Sequence, residues 1–242
     1  MTPRLSIIIP CRNDAAALAA TLDHLSRLRR IDAAEVIVAA SGDEERTRQA
    51  TAGRAQLLWP GGSTRAELLN TGAARARAPV LLFLHADSYP PVDAVDLIER
   101  ALRDEAVLGG AFEHKFSERD WRLRLVCLIN RLRYRVTRNY YGDQGQFVRT
   151  EVFRRLGGFP AVRLMEDLEL SQRLKRIGRT VLIPVPTRTS GRRFLQRGPF
   201  RTLIHCGLLL TVRACGADVD RYAEFWRGPA DAPPGSPVRR VG

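Results

Sequence analysis

The sequence is short of lysine, of paired cysteines and of long hydrophobic runs, and each shortage excludes a class of protein. Lys115 and Lys175 are its two lysines, so arginine carries nearly all of the positive charge. The four cysteines form no C-x-x-C pair and no metal-ligand spacing, which argues against a zinc site or a disulfide framework. The apolar stretch 203–212 is interrupted by His205 and is shorter than the about 20 residues that cross a bilayer.

The net charge of +13 is the unusual bulk property of this 242-residue chain, whose hydrophobic fraction of 45% is ordinary. Part of this charge is explained by a coding bias toward arginine. The other explanation is functional: a positive charge attracts nucleotide phosphates, anionic lipid headgroups or nucleic acid. The basic residues are not interleaved with an aromatic platform, so we expect no nucleic-acid partner. A strand starts close to the N-terminus with no signal peptide before it, so we expect a cytoplasmic protein.

Apolar strands and amphipathic helices alternate along the chain, as in an α/β protein. The predicted strands are 5–9, 35–40, 55–59, 80–85, 107–116, 145–149 and 179–183. The first predicted helix begins near 13–14. The other predicted helices are 44–52, 64–78, 121–138, 151–156, 167–177, 200–215 and 219–226. Pro10 is expected to end the first strand. The order of the first four strands implies right-handed crossovers and a parallel sheet.

Two acidic segments stand out against this background. VLLFLHADS (80–88) is a buried strand that ends on Asp87, and LMEDLELSQRL (164–174) opens a helix with Glu166 and Asp167. Ligands of α/β proteins gather outside the carboxyl ends of parallel strands, where a carboxylate can hold Mg²⁺ against a phosphate. A second acid can take a proton. Together these residues suit the transfer of a group from a nucleotide donor.

Each of these residues also has a purely structural interpretation. Asp87 can cap the following turn, and acids at a helix start such as Glu166 and Asp167 are favoured by the helix dipole. His85 can contact a ribose or phosphate, or it can be a packed, hydrogen-bonded histidine. Arg65, by contrast, opposes the dipole in the first turn of its helix, so its position calls for an anionic partner.

The order and spacing of seven segments resemble those of the family 2 glycosyltransferases. The segments are IIIPCRND, EVIVAASGDEERT, STRAELLNTGAARA, VLLFLHADS, GDQGQFVRTEVFRRLGGFP, LMEDLELSQRL and SGRRF. More narrowly, the chain resembles the short bacterial subgroup associated with radical-SAM and arsenosugar gene neighbourhoods. The resemblance implies a GT-A fold, which is Rossmann-like with a mostly parallel central sheet, helices on its faces and a C-terminal helical extension. It also implies a nucleotide-diphospho-sugar donor, Mg²⁺ or Mn²⁺, and inversion at the anomeric carbon.

On this resemblance the chain is one GT-A domain over 1–227, followed by a tail at 228–242 that is predicted to be disordered. We expect a nucleotide-binding half at 1–106, an acceptor and catalytic half at 107–197, and C-terminal helices at 198–227. The resemblance makes Asp167 the catalytic base, with Glu166 beside it, and makes Asp87 the metal ligand of the D-x-D motif.

The remaining site residues are expected around the donor. By resemblance, Arg65 reaches the nucleotide, and a late basic segment closes over the diphosphate. The late segment is Arg192 and Arg193, and the first nucleotide-binding loop holds Pro10, Cys11 and Arg12. Gln144 in GDQG is placed facing the acceptor sugar pocket.

Three departures from the family pattern limit these expectations. Ala40 replaces the aspartate that contacts the base or ribose, although Asp43 is close enough in sequence to compensate, and His85 replaces the first acid of D-x-D. One metal carboxylate remains workable because Mg²⁺ commonly uses one or two, with phosphates and waters. The Q-x-x-R-W segment of processive relatives is missing, which argues against a polymer synthase.

Two other functions stay open at this point. A nucleotide-sugar-binding protein without catalysis would explain Ala40 and His85 but not the intact Glu166–Asp167 pair. A nucleotidyltransferase should carry a Gly-rich, Lys-bearing loop after the first strand, and PCRND does not match one.

The acceptor is expected to be a small molecule or a lipid, and helix 121–138 bears on that choice. It carries an apolar stripe with arginines beside it, so it can lie on an anionic membrane surface as a peripheral anchor. The alternative is that its apolar stripe packs against the sheet or another helix.

Overall fold

The computed structural model describes residues 2–62 and 64–222 and shows one eight-stranded sheet with helices against it. The strands are β1 (Leu5–Arg12), β2 (Ala34–Ser41), β3 (Gln56–Leu58), β4 (Val80–Phe83), β5 (Ser88–Tyr89), β6 (Val107–Phe116), β7 (Gln146–Arg149) and β8 (Arg179–Thr189). The helices are α1 (Ala15–Leu25), α2 (Glu44–Thr51), α3 (Arg65–Arg75), α4 (Ala94–Ala101), α5 (Trp121–Thr137), α6 (Thr150–Arg155), α7 (Glu166–Ile177), α8 (Arg192–Arg197) and α9 (Pro199–Ala214).

The sheet order is β3-β2-β1-β4-β7-β6-β8-β5. The expected parallel pairing is confirmed for β3, β2, β1 and β4. The second half is mixed, because β7 runs antiparallel to both β4 and β6, and β5 runs antiparallel to β8, while β6 and β8 are parallel. Consequently β6 and β8 point the same way as β1 and β4, and all four end at one edge of the sheet.

Both faces of the first four strands are covered, as their apolar runs predict. Ile7 and Ile9 of β1 point into a cluster with Leu18 of α1, whereas Ile8 points to the other face and packs with Leu69 of α3. All three isoleucines are fully buried. Helices packed on both faces fix the position of the strands, and therefore of the edge at which their carboxyl ends lie.

The prediction that Pro10 ends the first strand is wrong, since β1 continues to Arg12 and pairs with β2 along its whole length. The carbonyl of Ile8 accepts from Leu84 of the segment after β4, so the backbone of residue 10 also faces that side. Because β4 itself ends at Phe83, the missing N–H of proline removes no ladder bond.

Several boundaries differ from the predicted ones. Helices α4 and α8 were not predicted, and β8 runs to Thr189 with a register irregularity opposite Phe112–Glu113 of β6. Of the predicted helix 219–226, Val219 is not helical, Asp220–Tyr222 is a short 3₁₀ turn, and 223–226 lie outside the described residues, as does the tail 228–242. Among the described helices, none is both long and apolar enough to cross a membrane. The division into a nucleotide-binding and an acceptor half stays a prediction.

Candidate functional site

The predicted site residues follow strands that end at the same edge of the sheet. His85 and Asp87 follow β4, and Arg192 and Arg193 follow β8. The turn 142–144 enters β7 from this edge, because β7 is antiparallel to β4. The fold therefore brings segments from both halves of the chain to one place.

Asp167 is one of the two acids at the start of α7, and backbone hydrogen bonds hold its carboxylate. Its Oδ2 accepts a hydrogen bond from the backbone N–H of Gly142 at 2.6 Å, and its Oδ1 accepts from the N–H of Leu168 at 2.7 Å. Hydrogen bonds to an ionised carboxylate are strong and orient it. Met165, just before the helix, has a φ of +62°, a conformation that costs a non-glycine residue of order 1–3 kcal/mol and that often marks functional sites.

Arg65 reaches the acid pair from the first turn of α3. Thr64 and Glu67 form a capping box that fixes this turn, with hydrogen bonds of 3.2 and 2.9 Å. The Arg65 Nε lies 3.1 Å from Glu166 Oε1, although the two are not aligned as a hydrogen bond, and Nη2 lies 4.0 Å from Asp167 Oδ2. In the structure, the anionic partner that the sequence demands for Arg65 is thus the acid pair. The expected contact with a nucleotide stays a prediction.

Gly142 is the point around which these groups assemble. A Cβ built on it would overlap Arg65 Nη2, and would lie 2.5 Å from His85 Nε2 and 3.1 Å from Asp167 Oδ2. No side chain fits there without displacing the arginine or the histidine. The role of Gly142 is not predictable from the sequence, where its only signal is a glycine beside an acid in GDQG.

Burial sets the protonation of the neighbouring groups. Burial raises the pKa of Glu166, with Arg65 opposing and Asp167 adding to the shift. Burial also holds the pKa of His85 well below its usual value, and the positive charges of Arg65 and Arg193 lower it further. Both effects favour the neutral form of His85, and its buried Nε2 has no hydrogen-bond partner among the described residues.

Asp87 lies among charges of both signs. Burial raises its pKa, Arg193 and Arg192 oppose this, and Asp14 adds to it. The backbone of Ser190 donates to the carbonyl of Asp87 at 3.3 Å, which ties the segment after β8 to the segment after β4. Arg192 Nη2 itself lies 3.2 Å from Asp14 Oδ2 in the first loop.

Asp87 is the predicted metal ligand at this edge of the sheet. In the part of the chain that the structure describes, no group of three or more histidines, cysteines or acids could hold an ion by itself. The single Asp87 carboxylate nevertheless suits Mg²⁺ or Mn²⁺, because Mg²⁺ commonly takes one or two protein carboxylates and completes its shell with phosphates and waters.

The first loop holds its predicted residues in different environments. Cys11 is buried in the core, and burial raises its pKa to about 11, so its thiol stays protonated and only its backbone can face a ligand. Pro10 is buried in β1, and Arg12 at its end is exposed. Asp43 caps α2 by accepting from the N–H of Arg46 at 3.1 Å. Their contacts with a nucleotide stay predictions.

Gln144 is a buried side chain whose amide is hydrogen-bonded inside the protein. Its Nε2 donates to the carbonyl of Phe112 at 3.1 Å, and its Oε1 accepts from the N–H of Tyr141 at 2.9 Å. The side chain is buried and its amide is committed at both ends. In this arrangement Gln144 shapes the turn that presents the Gly142 N–H to Asp167, and its predicted place at a sugar stays untested.

A histidine that no sequence motif indicates also lies beside this turn. His114 Nε2 lies 2.7 Å from Thr189 Oγ1 and 3.6 Å from Asp143 Oδ2. A separate cleft of about 500 Å³ lies near Pro79 and Arg149, at the opposite ends of β4 and β7. It is therefore remote from the acids described here.

Two solved structures share this fold. A mannosyltransferase, PcManGT from Pyrobaculum calidifontis in complex with GDP-Man and Mn²⁺, has a TM-score of 0.59 and 24% sequence identity, covering 78% of this chain and 57% of that chain. TarS of S. aureus has a TM-score of 0.58 and 13% identity, covering 77% of this chain and 36% of that chain. The chain thus spans little more than half of the first protein and about a third of the second. No curated protein sequence matches the chain.

These similarities confirm the expected GT-A fold, and a sequence match extends the conclusion from fold to family. Residues 6–170 match the sequence model of the family described as Glycosyl transferase family 2. The match starts in β1 and ends within α7, just past Glu166 and Asp167. Since it covers more than half of the sequence, the chain belongs to glycosyl transferase family 2.

Proposed function

We propose that this protein transfers a sugar from a nucleotide-diphospho-sugar to an acceptor hydroxyl, with inversion at the anomeric carbon. The observation that carries the proposal is the convergence of Asp167, Arg65 and His85 around Gly142, at the sheet edge that also carries Asp87. A proton acceptor and a set of phosphate-binding groups are the two parts that such a transfer needs.

Asp167 is the proposed base. Each carboxylate oxygen has a second lone pair beyond the one that its backbone hydrogen bond uses, so it can still accept a proton. The two backbone bonds hold the carboxylate in one orientation, which favours a single line of approach for the acceptor hydroxyl. Attack on the face of the sugar opposite the leaving diphosphate gives inversion in one displacement.

Asp87, His85 and the late arginines are the proposed donor-binding groups. Asp87 would hold the Mg²⁺ or Mn²⁺, which neutralises charge on a departing nucleoside diphosphate, and His85 would contact the donor. The positive charge of Arg193 already lowers the pKa of Asp87, and Arg192 would exchange its ion pair with Asp14 for a contact with a phosphate oxygen. The GDP-Man and Mn²⁺ bound to the solved mannosyltransferase support a donor and a metal of these classes.

The acceptor class follows less directly. A small molecule and a lipid both remain compatible with the site, and a cytoplasmic location, peripheral to the inner membrane face, stays a prediction. The subgroup associated with radical-SAM and arsenosugar genes likewise stays a prediction. A non-catalytic sugar-nucleotide binder or a nucleotidyltransferase is the alternative, and the orientation of Asp167 by two backbone N–H groups favours a catalyst over a binder.

The test distinguishes a catalytic base at Asp167 from a protein that only binds the donor. In a screen of nucleotide sugars with Mn²⁺, a donor at 100 times its Kd should stabilise the protein by about 2.7 kcal/mol. With that donor, Asp167→Asn should lose about 10²–10⁴ in turnover, measured as nucleoside diphosphate release, while donor affinity stays near wild type. Glu169→Gln, on the same helix but bonded to Arg173 at 3.1 Å, is the control and should keep its turnover. Wild-type turnover in Asp167→Asn would refute the assignment.

A further inference from the structure

Two neighbouring helices expose an apolar surface that the site does not use. Nine of the eleven large hydrophobic side chains that are exposed in the described residues lie on them, six on α5 and three on α9. The α5–α9 face, as we call it, consists of Trp121, Leu125, Leu128, Ile129, Leu132, Val136, Phe200, Ile204 and Leu208. The spacing of three and four residues puts each set on one side of its helix.

The face is continuous, and no described part of the chain covers it. The rings of Trp121 and Phe200 lie 6.0 Å apart, so the two helices present one surface. The side of α5 that packs against the domain is a different one, which buries Leu123 and Val126. The exposed fraction of Val136 is 86%. The expectation that the α5 stripe packs against the sheet or another helix is therefore wrong for most of its length. Exposed apolar surfaces of this kind mark interaction sites.

The charge around the face identifies its partner. Helices α5 and α9 carry seven arginines and no acidic residue. Arg124, Arg135 and Arg201 are exposed, whereas Arg131 is paired with Glu113 at 2.7 Å. Apolar side chains flanked by arginines match the boundary between acyl chains and anionic headgroups. A second copy of the chain would place the same arginines against each other, which is unfavourable.

The face adjoins the turn that holds the proposed base. The guanidinium of Arg133 on α5 lies 3.9 Å from the ring centroid of Tyr141, next to Gly142. On α9, the thiol of Cys206 interacts electrostatically with Asp143 of the same turn. A surface bound along α5 and α9 would therefore lie beside the turn 142–144, whose Gly142 N–H binds Asp167. Helix α9 lies outside the segment that matches the family.

We propose that the α5–α9 face lies in the interface of an anionic lipid bilayer and holds the active site at the membrane surface. This rests on the proposed function and deepens it, because an acceptor that reaches Asp167 from this side is an amphiphile with its apolar part in the bilayer.

Vesicle co-sedimentation of the full chain tests the proposal. We expect binding to 3:1 phosphatidylcholine–phosphatidylglycerol vesicles at low salt, weaker binding as salt rises, and no binding to pure phosphatidylcholine. Arg124→Glu with Arg135→Glu should weaken the partition coefficient at least about 25-fold, since each arginine near the surface contributes about fivefold. Arg103→Glu with Arg155→Glu makes the same charge change at exposed positions outside α5 and α9, and should bind like wild type.

The outcomes separate this proposal from its basis. A chain that stays in the supernatant with anionic vesicles at low salt overturns it. The proposal is also overturned if light scattering shows a dimer that the double variant Leu128→Asn with Leu132→Asn converts to a monomer, because the face would then join two copies of the chain. Donor binding by calorimetry without vesicles is measured in parallel. If the protein binds the donor but not the vesicles, the membrane proposal alone is wrong. If it binds the vesicles but not the donor, the proposed function is wrong.

Discussion

Replacing Gly142 by alanine tests whether the space at this glycine holds the site together. The backbone of Gly142 is not in the left-handed region, so alanine adopts it without strain and keeps the N–H that binds Asp167. The perturbation is therefore one methyl group placed among Arg65, His85 and Asp167, with no functional group deleted. Few substitutions displace two proposed ligand-binding groups so selectively.

The size of the effect follows from the geometry. The new Cβ would lie 2.5 Å from His85 Nε2, whereas heavy atoms pack at about 3.5 Å, so the ring must recede by about 1 Å. Arg65 must also move, which disturbs its 3.1 Å approach to Glu166. Overpacking of this kind costs about 1–3 kcal/mol of stability. Misplacing a reacting group by about 1 Å costs about 10²-fold in rate, or about 2.7 kcal/mol in the barrier.

The assay pairs urea unfolding with kcat/KM for nucleoside diphosphate release. Gly207→Ala is the control, because nothing lies within 4 Å of a Cβ there, and alanine in a helix should stabilise by about 0.5–1 kcal/mol. If displacement of Arg65 causes the loss, Gly142→Ala in an Arg65→Ala background should cost much less than the sum of the two single changes. A Gly142→Ala protein with kcat/KM within about twofold of wild type would refute the reasoning.

Three further predictions concern the charged and buried groups of the site. Asp87→Ala should weaken binding of the donor and abolish its dependence on Mg²⁺ or Mn²⁺ in calorimetry, and an unchanged metal titration would contradict the role of Asp87. Burial raises the pKa of Glu166, so the folded protein holds that proton more tightly than the unfolded chain and loses stability as pH rises above 4.5. Glu166→Gln removes this loss, so its Tm relative to wild type should increase from pH 5 to pH 8; a constant difference would argue against a buried, ionising Glu166. Cys11, with a pKa raised to about 11, should resist Ellman's reagent until the protein unfolds, while exposed Cys215 reacts at once; rapid reaction of Cys11 would mean that the first loop opens.

Local patterns were enough to predict most of the first half of the fold. Continuous apolar runs indicate strands that are covered on both faces, and they located β1, β2 and β4 to within a few residues. The helix that begins at Glu166 was also visible, because acids at its start and Gly178 at its end are local signals. The mixed pairing of the second half was not visible, since a short strand such as β7 carries no mark of its direction.

By itself, the sequence determined most of the elements, though not α4, α8 or β5, together with the family and the charged residues at the ends of the predicted strands and helices. Only the tertiary structure decided that Arg65 meets Glu166, that Gly142 leaves the space between them, and that the amide of Gln144 turns inward. The reason is that a periodic pattern states which side of an element is apolar or charged, but not what lies against it. The apolar stripe of α5 shows this most clearly. The same pattern predicts a buried helix or a membrane-facing one, and in the structure α5 packs on the domain through Leu123 and Val126, which leaves the stripe exposed.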